Sequence, residues 1–141
     1  MSTRRIKVAV TLDDKGGMMF NKRRQSRDRI LIADLIEKTE GFIYISPYSS
    51  LLFEEYPDRI KTVTDPLLEC EDGAFAFIEG LALLPHVEDI DELIVYKWNR
   101  TYPSDVRLDI DITSCGFRMN AKYEFQGSSH EKITKEIYKK I

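Results

Sequence analysis

The densest run of chemistry-bearing side chains is Lys22-Arg-Arg-Gln-Ser-Arg-Asp-Arg29. Guanidinium forks pair bidentately with phosphate oxygens, and a serine hydroxyl beside helix N–H groups can complete an anion site. Arg23, Arg24, Ser26, Arg27 and Arg29 are therefore the candidate anion-binding residues. A nucleotide, a phosphorylated metabolite or an RNA phosphate would suit them. Phe20, Tyr44 and Tyr48 could add a stacking face. The same arginines equally suit a solvated helix entry paired with Asp34 or Glu37, and the residues alone leave both readings open.

Other constellations are thin. His86 and His130 stand far from Cys70 and Cys115, and neither cysteine has metal-ligand spacing, so no metal site is expected. Ser46, Ser49 and Ser50 lack a Gly-x-Ser-x-Gly elbow, and no phosphate-cradling P-loop occurs. The acidic clusters at 88–92 and at Asp105, Asp109 and Asp111 read as solvated faces.

Charge supports an anionic ligand more than a nucleic-acid coat. Residues 4–29 carry nine basic side chains against three acidic ones, a local balance of +6, yet the whole chain is at −3. A protein that mainly coats nucleic acid would be basic overall. With 43% apolar and 32% charged residues, the 141-residue chain fits one soluble globular domain over 1–141. The apolar stretch at 74–84 is interrupted by Glu79 and too short to cross a bilayer. Met1-Ser-Thr-Arg-Arg-Ile runs straight into a strand-like segment, and the cysteines read as reduced thiols, so the expected location is cytoplasmic.

These residues must be positioned by alternating elements. Residues 6–12 are β-branched and apolar and predict a buried first strand, followed by an Asp13-Asp-Lys-Gly-Gly17 loop. Ser26 is the expected N-cap of a helix carrying Asp28 in its first turn, with Ile30, Leu31, Ala33, Leu35 and Ile36 as its apolar stripe and Gly41 as its stop. Strands are expected at 42–45, 59–63, 74–78 and 93–98. Short helices are expected at 48–53, after Asp65-Pro66, and as one or two turns at 81–84. Residues 117–125 and 130–138 predict two final strands around Gln126-Gly-Ser-Ser129. Ile133, Ile137 and Ile141 would also fit a helix, and the β-branched content favours the strand. The expected architecture is a three-layer α/β/α domain, a mixed sheet with a C-terminal antiparallel hairpin.

In order and spacing, these elements resemble the dihydrofolate-reductase-like family over nearly the whole chain. The resemblance is carried by Gly17-Met-Met-Phe-Asn21 in the loop after the first strand and by the acid-bearing helix opening at Asp28. It continues through Ser46-Pro-Tyr-Ser49 ending the second strand, Phe77-Ile-Glu-Gly-Leu-Ala-Leu-Leu-Pro85, and the final hairpin with Ser129-His130. The chain also resembles short bacterial proteins with an Asp-Asp-Lys-Gly-Gly-Met opening.

The resemblance implies a cleft at the strand ends that takes NADPH and a pterin, with hydride passing to a flat heteroaromatic or carbonyl substrate. It implies Asp28 as the catalytic acid, its carboxyl pushed upward by burial, and 15–19 as a flexible lid. Gly17, Met18, Ser46, Tyr48, Glu79 and Gly80 are the implied cofactor contacts. Glu79-Gly80 replaces the family's Gly-Gly, Phe20 replaces a tryptophan, and three residues are inserted before Asp28. Three function classes follow: an NADPH-dependent reductase or nucleotide- and pterin-binding domain, a non-catalytic anion- or RNA-phosphate-binding module, and a structural homodimer.

Overall fold

The computed structural model describes residues 4–141, so residues 1–3 of the opening segment lie outside the described chain. In chain order the elements are β1 (Ile6–Leu12), β2 (Gly17–Phe20), β3 (Arg23–Arg24), α1 (Arg29–Lys38), β4 (Ile43–Ile45), β5 (Ile60–Thr62), α2 (Pro66–Glu69), β6 (Phe75–Phe77), β7 (Ile90–Lys97), β8 (Val106–Arg107), β9 (Phe117–Phe125) and β10 (Ile133–Lys140). Short 3-10 helices occupy Pro47–Phe53, Pro57–Arg59 and Leu84–Asp89.

Seven strands form one mixed sheet in the order β5-β4-β6-β1-β7-β10-β9. β1 pairs in parallel with β6 and β7, and β4 pairs in parallel with β5 and β6. β10 runs antiparallel to both β7 and β9, which makes the C-terminal hairpin a sheet edge. The ambiguous last segment is thus a strand, because its neighbour β7 supplies the ladder that an isolated helix there would lack. The mixed α/β sheet with its antiparallel C-terminal hairpin is as expected.

Period-two burial places the two cores. Ile6, Val8, Val10 and Leu12 of β1 face one side with Leu93 and Val95 of β7 and Leu67 of α2. Ala9, Ile94 and Tyr96 face the other, packed against Leu31, Ile32, Leu35 and Ile36 of α1. Ile32 takes the place expected for Ile30, which is exposed: the helix starts later and is rotated accordingly.

Both expected ends of α1 are corrected. Asp28, not Ser26, is the N-cap, and its Oδ1 accepts from the Ile30 and Leu31 N–H groups at 3.0 and 3.3 Å. The helix stops at an extended Thr39 two residues before Gly41. Arg59 substitutes for a glycine cap, donating to the carbonyls of Ile36, Thr39 and Gly41 at 2.9, 3.0 and 2.7 Å. A second small sheet, β3-β2-β8, was not expected at all. It turns the loop after β1 into paired strand, anchored by Asp13. The Asp13 carboxylate accepts from the N–H groups of Lys15, Gly17 and Tyr102 and from Gln25 Nε2. Burial alone would push this carboxyl up, but those four bonds hold it below the usual carboxylate range. Residues 17–19 of the expected lid therefore lie in the paired strand β2.

Candidate functional site

The carboxyl ends of β1, β4 and β6 meet α1 and the 127–130 turn, the place where open α/β sheets receive ligands. Two polar constellations sit there.

The first is centred on Asp28, whose side chain is fully buried. Besides capping α1, Oδ1 accepts from the Ser128 N–H and hydroxyl at 2.9 and 3.1 Å. Oδ2 accepts from the Ser129 N–H at 2.8 Å and lies 2.9 Å from His130 Nδ1. Burial would raise this carboxyl, as expected from the sequence. The bonds from His130, Ser128, Ser129 and Leu31 outweigh it and hold Asp28 well below the usual carboxylate range. Asp28 is therefore an ionised anchor with its lone pairs committed, not an acid raised by burial.

On its far side, the His130 ring presents Nε2 to Ser26 Oγ at 3.0 Å and to Tyr102 Oη at 3.3 Å. Trp98 stacks on the imidazole with centroids 4.5 Å apart and an interplanar angle of 27°. Since ionised Asp28 can only accept, Nδ1 carries a proton, and in the neutral ring Nε2 is then the acceptor. Gly127 belongs to this unit because a Cβ there would fall onto the Asp28 carboxylate, 2.8 Å from its Cγ and from Ile133 Cδ1. Gly127→Ala should cost about 1–3 kcal/mol by overpacking, read as a lower urea midpoint at unchanged m-value.

The second constellation closes the ends of β4 and β6. Arg24 Nε and Nη2 donate to Glu79 Oε2 and Oε1 at 2.8 and 3.0 Å, and Ser49 Oγ donates to Oε1 at 2.8 Å. Tyr48 adds its ring, 4.5 Å from the guanidinium carbon, and accepts from Arg24 through its hydroxyl and carbonyl oxygens. The Glu79 side chain is only 4% exposed. Met19 packs over Gly80, whose φ of +76° no side-chain-bearing residue adopts readily, and its Sδ fills the position a Cβ would take. Met18 is buried in the core, Gly17 packs against Gln25, Ser104 and Asp13, and Ser46 precedes the 3-10 helix without capping it through its side chain.

The arginines expected to act together thus diverge. Arg24 is consumed by Glu79, and Arg23 is exposed on β3 beside Phe20. Arg27 and Arg29 line an open groove of about 390 Å³ between the start of α1, the end of Pro47–Phe53 and the 128–129 turn. Glu54 and Glu55 belong to the same lining. Beside it, Ser26, Leu31, Phe77 and Trp98 line a narrow cleft of about 10 Å³. His130, Trp98 and Tyr102 went unnoticed as site residues in the sequence. The one available signal was the Ser129-His130 pair at the start of the last strand.

Asp109 and Asp111, expected on a solvated face, cap backbone turns. Asp109 accepts from the Leu83 and Leu84 N–H groups, and Asp111 from Thr113 and Ser114. Among the described residues no three His, Cys, Asp or Glu side chains converge as metal ligands, and no helix is long and apolar enough to cross a membrane.

The family resemblance implied that a cofactor pyrophosphate would approach the 79–80 backbone. There the buried Glu79 carboxylate, held by Arg24, and the Met19 side chain occupy the space a pyrophosphate would take, so these residues do not fit NADPH in this arrangement. No protein-family model and no curated protein matches the sequence. Among solved structures, the chain is similar to dihydrofolate reductase from Enterococcus faecalis complexed with NADP(H) and RAB-propyl. The TM-score is 0.67 at 10% identity, over 95% of each chain. The chain is a divergent domain of dihydrofolate-reductase-like fold.

Proposed function

We propose that the protein binds a small anionic ligand of nucleotide or phosphorylated-metabolite type in the groove beside α1. The observation that carries this reading is the pair Arg27 and Arg29, both exposed, lining an open groove at the start of α1 beside the strand ends. Arginine forks favour phosphate or carboxylate oxygens there. Glu54 and Glu55 in the same groove suit a ligand whose other end carries hydrogen-bond donors, such as the exocyclic amine of a purine or pterin.

Trp98, the chain's one tryptophan, lines the adjoining cleft and provides the readout. Titration with nucleoside phosphates should give saturable quenching. Arg27→Ala combined with Arg29→Ala should weaken binding by about tenfold or more, as loss of charge-assisted bonds implies. No saturation at millimolar concentration of any such ligand would sink the reading.

The second reading is an NADPH-dependent reductase, favoured by the fold and by the NADP(H) complex of its structural neighbour. It requires Met19 and the Arg24–Glu79 pair to leave the strand ends. Saturable NADPH binding insensitive to the two arginine substitutions would support it over the first.

A further inference from the structure

We propose that Ser26, His130 and Asp28 form a nucleophile, general base and orienting acid that hydrolyse a small ester. Ser26 Oγ lies 3.0 Å from His130 Nε2, and His130 Nδ1 lies 2.9 Å from Asp28 Oδ2. Both spacings are within the reach that nucleophilic catalysis requires, and such triads are recognised by geometry and role, not by sequence position. The proton arrangement is also set. Ionised Asp28 accepts a hydrogen bond from Nδ1–H, and in the neutral ring this leaves the Nε2 lone pair facing the Ser26 hydroxyl.

The supporting groups are rigid where they must be. Asp28 and His130 are buried, and Trp98 stacks on the imidazole, fixing its plane and offering a π-face to the imidazolium formed during reaction. Ser26 itself is partly exposed and lines the narrow cleft. Tyr102 Oη, at 3.3 Å, is a second and longer donor to Nε2 in the resting state.

In the reaction, Ser26 Oγ attacks the ester carbonyl carbon while its proton passes to His130 Nε2. The C–O bond to the alcohol then breaks, and the alcohol leaves with that proton. Water adds to the acyl-serine, giving a proton to Nε2. The Oγ–acyl bond then breaks, the acid departs, and Oγ recovers its proton.

The cleft beside Leu31, Phe77 and Trp98 adjoins Ser26 and would receive the acyl part. The leaving group would extend toward Arg27 and Arg29. Only this last point rests on the anion-binding reading.

The test therefore uses neutral probes that need no arginine. The whole protein is treated with a fluorophosphonate, whose phosphorus bonds Oγ as fluoride leaves, and separately with p-nitrophenyl acetate. Peptide mass spectrometry should find the label on Ser26, and acetate ester turnover should fall at least about a hundredfold in Ser26→Ala. Circular dichroism of that variant should match the parent. Labelling of the unaltered protein stands as evidence even if Ser26→Ala fails to fold. A folded parent protein that takes no label at Ser26, or a Ser26→Ala variant that keeps full turnover, would overturn the proposal. Either result would show the three side chains to be a structural network only.

Discussion

Asp28→Ala should be the most damaging single substitution in the chain, lowering stability by about 3–5 kcal/mol, the range for stripping one partner from a buried charged network. The size follows from what is left behind. Two N–H groups of the first turn of α1 lose their cap, worth about 1 kcal/mol on its own. The Ser128 and Ser129 N–H groups and His130 Nδ1 lose their acceptor at the same time. A donor buried without a partner costs about 1–3 kcal/mol, so water entry and a shifted 127–130 turn must relieve part of the total. Urea denaturation measures it, and a loss below 1 kcal/mol would contradict the anchoring role.

The pH dependence carries the same signature. Asp28 and Asp13 both have carboxyls depressed in the folded state. Their contribution is complete above the unfolded-state value of about 4 and is lost as pH falls through the folded values. The contribution of these two carboxyls should therefore be flat above about pH 5 and fall steadily in acid. Asp28→Ala should flatten that acid limb relative to the parent protein, and an equally steep limb would place the titrating groups elsewhere.

The second large effect concerns the pair that closes the strand ends, and it should be asymmetric. Arg24→Ala leaves Glu79, 4% exposed, with Ser49 as its one remaining hydrogen-bond donor, and should cost about 3 kcal/mol or more. It also removes the stack on Tyr48. Glu79→Ala leaves a guanidinium that is 18% exposed and can turn toward water, so about 1–2 kcal/mol is expected. Combining Arg24→Met with Glu79→Met should recover much of the Arg24→Ala loss, because no buried charge remains unpaired. Thermal and urea midpoints of the parent and the three variants measure these differences. Equal effects of the two alanine substitutions would mean that burial of Glu79 does not govern the energetics.

Much of the architecture was legible because its causes are local. The apolar-rich, β-branched runs of β1 and β7 and the wholly apolar β6 marked buried strands, and Asp65-Pro66 marked the start of α2. The 117–140 segment read as a hairpin because its β-branched residues flank a Gly-Ser turn. Where local signals competed, reading failed. Ser26 and Asp28 are both good N-caps; α1 begins at Arg29, which puts Asp28 at the capping position and leaves the Ser26 hydroxyl to His130. The 17–20 segment carries little strand propensity and became β2 only because β3 and β8 lie beside it.

What the sequence by itself determined is the class of domain, a mixed α/β sheet with a hairpin edge, since burial periodicity is written residue by residue along each strand. Which side chains form the site was decided only by tertiary structure. Asp28 meets His130 across 102 residues, and Arg24 meets Glu79 across 55, because parallel crossovers bring the strand ends together. An ion pair or hydrogen bond depends on ångströms in space, and no spacing along the chain encodes that distance. The arginine run looked like one anion site for this reason. Folding buried one arginine against a carboxylate and left two at the groove.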